Sequence, residues 1–89
     1  MNSETAWELK VAKSVDKKLQ KFPPKDKECI FEVIKLMSQD PYFGDIEKLN
    51  REDNSWRRRV GNYRIFYELD INKKIVFVSD VKRRTSKTY

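Results

Sequence analysis

The 89-residue sequence has no histidine, one cysteine and two glycines, and each scarcity excludes a class of site. Without histidine, neither a Ser–His nor a Cys–His nucleophile pair can form, and a typical transition-metal site lacks its donors. The two glycines, Gly44 and Gly61, do not make a glycine-rich phosphate loop. The lone Cys29 cannot form an intramolecular disulfide. We therefore expect no metal and no cofactor.

Long apolar runs are missing as well. No stretch approaches the roughly 20 apolar residues of a membrane span, and the first residues, MNSETAWELK, lack the apolar run of a secretory signal. A single unpaired cysteine fits a reducing compartment. The sequence therefore predicts a cytoplasmic protein without membrane attachment, folded as a single domain over residues 1–89.

Positive charge is what the chain has in excess, and it is concentrated toward the C-terminal end. The sequence holds 20 Lys and Arg against 14 Asp and Glu, for a formal net charge of +6. Residues 57–89 carry ten basic and three acidic side chains, whereas residues 1–56 are close to neutral. Such clustering indicates a surface that meets a polyanion, with a solvated surface as the alternative.

Apolar spacing predicts one strand and two helices in the first half of the chain. Trp7, Leu9 and Val11 alternate with polar residues, as in a short strand. Helical spacing then predicts helices over 14–22 and 26–39, separated by a pair of prolines. This αα-hairpin has little net charge, and we expect its role to be structural.

The second predicted helix carries a single apolar stripe. Ile30, Val33, Ile34 and Met37 recur at helical spacing, as expected for a helix lying on a core. Cys29 flanks the stripe, so we expect a core thiol with no chemical role.

The second half of the chain predicts strands over 45–49, 55–60, 63–69 and 74–81. Gly61 and Asn62 form a two-residue loop between the second and third of these, suited to a primed turn because both residues tolerate positive φ. The order is an N-terminal strand, a two-helix hairpin and an antiparallel β-sheet meander. The predicted fold class is α+β.

A two-residue loop fixes the hairpin register, and cross-strand partners share a face of the sheet. The register pairs Val60 with Tyr63 and Arg59 with Arg64. The apolar face then carries Trp56, Val60, Tyr63, Ile65, Tyr67 and Leu69. The other face, which we call the basic platform, carries Arg57, Arg59, Arg64, Phe66 and Glu68.

Two features of this hairpin need a physical explanation. Arg59 and Arg64 are directly opposite, which is destabilising unless an anion such as phosphate lies between them. An ion pair between Arg64 and Glu68 is the alternative. Arg58 falls on the apolar face, so either its guanidinium extends to an edge of the sheet or a bulge shifts the register.

The stretches WRRRVGNYRIFYEL and KIVFVSDVKRRTSKTY resemble the RelE/ParE superfamily, the toxin halves of bacterial and archaeal toxin–antitoxin pairs. The resemblance covers nearly the whole chain and implies one RelE-like domain with a cognate antitoxin as partner. RelE-like members enter the ribosomal A site and cut mRNA, by attack of a ribose 2′-hydroxyl on the adjacent phosphate. ParE-like members share the fold but bind and inhibit DNA gyrase without catalysis.

Carried over residue by residue, the RelE pattern implies a catalytic set. Arg57 and Arg59 fall on its two basic positions in the first hairpin strand, and Arg64 on the arginine of the second. Arg83 falls on the arginine after the last strand, and Tyr89 on the tyrosine that stacks on a base. The filled positions favour a ribosome-dependent, metal-independent mRNA endoribonuclease. A gyrase inhibitor of the ParE type and an RNA-binding module without catalysis are the alternatives.

Further basic and aromatic residues are expected to contact RNA, namely Lys82, Arg84, Lys87 and Phe66. In the RelE pattern the first two positions are lysines, one of them proposed as general base, whereas this chain has Arg57 and Arg59. Arginine stays protonated, so these residues can hold and neutralise a phosphate but cannot readily abstract a proton. The general base is therefore unassigned.

Overall fold

The computed structural model describes residues 6–49 and 54–83. The elements are β1 (Glu8–Val11), α1 (Lys13–Gln20), α2 (Pro24–Gln39), β2 (Ile46–Lys48), β3 (Ser55–Val60), β4 (Tyr63–Asp70) and β5 (Ile75–Arg83). The strands form one sheet in the order β1-β5-β4-β3-β2. The predicted α+β class and the β3-β4-β5 meander are confirmed. β1 lies parallel to β5, so the sheet is mixed rather than purely antiparallel.

The helices pack on the apolar face of the sheet. Pro24 starts α2, where its missing N–H leaves no helical hydrogen bond unmade. The buried core consists of Val15, Leu19, Ile30, Ile34, Met37, Tyr63, Ile65, Tyr67, Leu69, Val76, Val78 and Val81. Within the described ranges, neither helix has the length and apolarity needed to cross a membrane.

Cys29 is exposed, so the prediction of a core thiol is wrong. Successive residues of an α-helix are rotated by about 100°. Ile30 is fully buried, which turns its neighbour away from the sheet and toward solvent. An apolar residue beside a helical stripe is therefore not necessarily part of the core.

The predicted hairpin register is confirmed, with Val60 opposite Tyr63 and Arg59 opposite Arg64. Arg58 lies on the apolar face at 9% exposure. Its guanidinium contacts the loop before β2, donates a hydrogen bond to the Phe43 carbonyl at 2.9 Å, and lies 5.2 Å from the centre of the Phe43 ring. The alternative of a bulge is wrong, since β3 and β4 pair without a register shift.

A bulge in β5 changes which of its residues face the core. Phe66 is opposite Asp80 but Tyr67 is opposite Val78, so Ser79 is an extra residue in the ladder. The Ser79 hydroxyl donates to the Phe66 carbonyl at 3.2 Å. After the bulge the inward residue is Val81. Without the extra residue, strand alternation would have turned Val81 outward.

Candidate functional site

Three cationic side chains lie in register across the three central strands of the sheet, next to the β3–β4 turn. Arg59 on β3 is opposite Arg64 on β4, and Arg64 is opposite Lys82 on β5. We call these three residues the cationic row. Neighbouring strands are about 4.8 Å apart, well within the Debye length of about 8 Å at physiological salt, so the three charges repel one another. Hairpin parity predicted the first two members, and the bulge at Ser79 brings in the third.

The platform also carries an aromatic ring, from Phe66. Arg57 is opposite Phe66, and the Lys82 ammonium lies 5.3 Å from the centre of the Phe66 ring. Phe66 is half-buried, so part of its surface is open on the platform. Cations around an open aromatic ring are typical of surfaces that bind single-stranded nucleic acid, where bases stack and phosphates pair.

Two of the platform arginines are neutralised from within the chain. Arg59 Nε donates to Asp45 Oδ2 at 3.0 Å, and Arg57 forms an ion pair with Glu47. The carboxylates are two residues apart beside β3, as are the arginines they meet. Sequence reasoning missed these pairs, because it considered only an external anion and Glu68 as partners of the arginines. The signal was the alternation in Asp45-Ile46-Glu47, which puts both carboxylates on one face of a strand.

Arg64 has no such neutralising partner. Among residues 6–49 and 54–83 it has no ion pair, so the alternative of a Glu68 partner is not realised. Its Nε atom is buried and has no hydrogen-bond acceptor in this part of the chain. A buried unpaired donor next to two other cations is unfavourable. The centre of the cationic row is therefore where a bound anion would stabilise the protein most.

Arg83 lies apart from the row. It is opposite Tyr63, on the helix-bearing side of the sheet, and its guanidinium lies 5.8 Å from the centre of the Tyr63 ring. The structure therefore brings together Arg57, Arg59, Arg64, Phe66 and Lys82, but not Arg83. The predicted site residues Arg84, Lys87 and Tyr89 lie outside the described residues.

The tyrosines on the apolar face belong to the core. The Tyr63 hydroxyl donates to Asp26 Oδ2 at 2.6 Å, and burial together with this hydrogen bond raises the Tyr63 pKa. The Tyr67 hydroxyl donates to the Pro41 carbonyl at 2.7 Å, and burial raises its pKa to about 12. Both phenols keep their protons at neutral pH, and neither hydroxyl faces the platform.

The platform can bind an anionic group and stabilise charge that develops on it. Guanidinium groups match the two oxygens of a phosphodiester and keep their charge throughout a reaction. Lys82 adds an ammonium group to the row, which concentrates its charge on one nitrogen. No cluster of three or more potential metal ligands is present among the described residues.

Comparison with known proteins gives a consistent family and fold. The family described as ParE toxin of type II toxin–antitoxin system, parDE, matches residues 6–87. No curated protein is similar enough to count as a match. The sheet and helices superpose on the RelE–RelB complex of Pyrococcus horikoshii with a TM-score of 0.81 and 25% identity, covering 92% of this chain and 99% of that one.

Two further solved structures extend the comparison. The RelB–RelE complex of Methanococcus jannaschii has a TM-score of 0.66 and 27% identity, covering 83% of this chain and 88% of that one. The isolated RelE toxin of E. coli has a TM-score of 0.77, covering 92% of this chain and 88% of that one. At 19% identity the bacterial protein shows a shared fold.

Proposed function

The chain belongs to the ParE toxin family of type II toxin–antitoxin systems, and we propose that it is a ribosome-dependent endoribonuclease that cleaves mRNA in the A site. The observation that carries the proposal is the cationic row, in which Arg64 has no ion pair among the described residues. An RNA phosphodiester placed on the row would pair with the Arg64 guanidinium and relieve the repulsion between Arg59, Arg64 and Lys82.

In the proposed reaction the ribose 2′-oxygen attacks the adjacent phosphorus and the bond from phosphorus to the 5′-oxygen breaks. The products are a 2′,3′-cyclic phosphate and a free 5′-hydroxyl, so one proton leaves the 2′-oxygen and one reaches the 5′-oxygen. Arg59 and Arg64 would stabilise the charge that develops on the non-bridging oxygens. Lys82 would donate the proton to the leaving 5′-oxygen.

The proton acceptor would come from the ribosome. Arginine cannot take the proton from the 2′-hydroxyl, and the chain has no histidine. Glu68 shares the platform but is four residues along β4 from Arg64, about 13 Å at the rise of a strand. Asp45 and Glu47 are held in ion pairs with arginines. A ribosomal group as base would also make the proposed cleavage depend on the ribosome.

A cognate antitoxin is the proposed regulatory partner. The structures from Pyrococcus horikoshii and Methanococcus jannaschii are both complexes of RelE with RelB. In this protein an acidic or amphipathic segment of the antitoxin, lying on or beside the platform, would block RNA and offset the repulsion within the cationic row.

Inhibition of gyrase by binding alone is the second candidate. It is favoured by one observation, the description of the matched family as ParE toxins. The two candidates differ in product, because the first predicts cut mRNA and the second predicts inhibited supercoiling with intact mRNA.

The test is to induce the protein without antitoxin and map new 5′ ends on a reporter mRNA, in its translated form and with its start codon removed. Wild type should cut only the translated form. Arg64→Gln should lower cleavage by about 10²–10³-fold, the usual loss on removing one donor of an anion-stabilising site. Lys10→Gln is the matched control, since it removes one charge at an exposed position of β1, and it should cleave like wild type.

Purified protein is then assayed for inhibition of gyrase supercoiling. Intact mRNA together with inhibited supercoiling would reject the nuclease and establish the second candidate. Equal cleavage by wild type and Arg64→Gln would show that the cationic row is not the active site.

A further inference from the structure

A second basic feature lies on the helix side of the sheet, between the end of α1 and the end of β5. It is a groove of about 420 Å³ lined by Lys18, Lys21, Phe22, Val81, Lys82 and Arg83. Ligand sites typically measure about 300–1,000 Å³, so the groove can hold a group the size of a nucleotide. Lys18, Lys21 and Phe22 have no part in the proposed cleavage.

Four of the six residues that line the groove are cationic. Lys18 Nζ donates to Asp80 Oδ1 at 2.6 Å and to the Val81 carbonyl at 3.2 Å, which ties α1 to β5. Lys21 has no ion pair within the described part of the chain, and neither does Arg83. The charge of the groove is therefore only partly neutralised by ion pairs among the described residues.

The floor of the groove is aromatic. Phe22 is half-buried, and its ring packs on Tyr63 with a centroid distance of 4.8 Å. The Arg83 guanidinium also contacts this aromatic pair, 5.8 Å from the centre of the Tyr63 ring. Cations above an aromatic surface accept both parts of a nucleotide, because the base stacks on the ring while the phosphate pairs with the charge.

The groove and the platform are continuous. Lys82 belongs to the cationic row and also lines the groove. On the far side of β5, β1 ends at Val11, opposite Val78. The last part of β5 therefore has no strand beside it in the described structure. A single nucleic-acid strand lying along the cationic row can pass over this edge into the groove without crossing a paired strand.

We infer that this groove binds the phosphodiester backbone of single-stranded RNA next to the phosphate held on the platform. The inference rests on the proposed function in taking RNA as the polyanion. An acidic protein segment would satisfy the lysines, but it would leave the aromatic floor and the continuity with the cationic row unexplained. A substitution at Lys21 tests the groove alone, because Lys21 belongs neither to the platform nor to the ion pair between Lys18 and Asp80.

The experiment measures binding of a fluorescein-labelled oligouridylate to the full chain by anisotropy, between about 50 and about 200 mM salt. Each phosphate contact contributes about 0.7 to the slope of log K against log salt for a single strand. Lys21→Gln should lower that slope by about 0.7 and weaken binding severalfold. Lys17→Gln is the matched control, since it removes an exposed charge from α1 outside the groove, and it should bind like wild type.

The outcomes separate the groove from the cleavage proposal. Equal slopes for Lys21→Gln and Lys17→Gln, or no saturable binding by wild type, would overturn the inference. So would Lys21-dependent binding of an oligoglutamate peptide in place of the RNA, which would assign the groove to an acidic protein segment. Lys21-dependent RNA binding in a protein that leaves translated mRNA uncut would reject the nuclease and leave the groove established. An oligothymidylate of equal length distinguishes RNA from DNA, and tighter binding of the DNA would count against the inference.

Discussion

Arg58 is a charged residue that stabilises the fold rather than the site. It lies on the core face among apolar side chains, yet its guanidinium has a carbonyl acceptor and an aromatic ring from Phe43, in the loop before β2. Its Nε remains without an acceptor in the described structure. Gly44 makes room for this arrangement, since an added Cβ would lie 2.4 Å from Arg58 Cζ. Arg58, the middle one of three consecutive arginines, therefore differs in role from Arg57 and Arg59.

Gly44 and Arg58 should be energetically coupled. Gly44→Ala is expected to lower the free energy of unfolding by about 2–3 kcal/mol, because φ is +95° and the methyl group meets the guanidinium. Arg58→Ala alone should cost about 2–3 kcal/mol through the lost hydrogen bond and packing. The double variant should cost less than the sum by about 0.5–3 kcal/mol, measured by denaturant unfolding.

Gly61 provides the control for this double-mutant cycle of Gly44 and Arg58. Its φ is +57°, but a Cβ there would meet nothing within 4 Å, so only backbone strain applies. Gly61→Ala should cost about 1–2 kcal/mol and add to Arg58→Ala without coupling. Additive losses for the Gly44 and Arg58 pair would contradict the contact on which the prediction depends.

At the scale of elements, the conformation at the end of β5 determines which charged side chains are neighbours. The bulge at Ser79 turns Lys82 toward the platform, while Lys18 of α1 holds Asp80 at the strand edge. Burial alone would raise the Asp80 pKa. The hydrogen bonds from Lys18 and from the Val81 backbone N–H, with the charges of Lys18 and Lys82, outweigh it and lower the pKa below 3.8.

This ion pair predicts a pH-dependent contribution to stability. Because the Asp80 pKa is lowered by folding, the contribution is fully present above its ordinary value of 3.8 and is lost as the pH falls through the folded value. Wild type should exceed Asp80→Asn by about 1 kcal/mol or less near neutral pH, since the pair is partly exposed. The difference should shrink below pH 3.8, measured by urea unfolding across the acid range.

Glu28→Gln serves as the control, because it removes an exposed carboxylate from α2 that forms no ion pair among the described residues. A difference between wild type and Asp80→Asn that stays constant down to about pH 2 would show that the carboxylate is not held by Lys18.

Local signals in the sequence predicted most of these elements, and the failures have physical causes. The Gly61-Asn62 loop fixed the β3–β4 register, so the facing of Arg59 and Arg64 could be deduced from parity. The bulge could not be deduced in this way, because Ser79 is an ordinary strand residue and the register shift arises from pairing with β4. The membership of Lys82 in the cationic row therefore needed the structure.

Pairing between strands that are distant in the sequence was also not predicted. The parallel position of β1 beside β5 depends on where the helical hairpin returns the chain, and no local pattern encodes it. The ion pairs of Asp45 and Glu47 depend likewise on β2 lying next to β3. The sequence contains both carboxylates and both arginines, but it does not indicate that they form pairs.

At the scale of the whole molecule, the charge is divided between two sides of one sheet. The platform and the groove are joined at Lys82, while the helical half of the sequence is nearly neutral. Three intramolecular ion pairs reduce the repulsion at Arg57, Arg59 and Lys18. Arg64 and Lys21 have no such partner in the described residues. The free protein therefore keeps unbalanced positive charge where the polyanion is proposed to bind.

This imbalance predicts that salt stabilises the free protein. Raising NaCl from about 0.01 to about 0.15 M shortens the Debye length from about 30 to about 8 Å and screens the repulsion within the cationic row. The free energy of unfolding should rise by about 1 kcal/mol or less, the range for like charges facing each other on a sheet. Arg64→Gln should be more stable than wild type at low salt and should show a smaller rise, whereas Lys10→Gln should follow wild type. Stability that falls with salt would mean that the ion pairs outweigh the repulsion, and that the chain compensates its own arginines without needing an external anion.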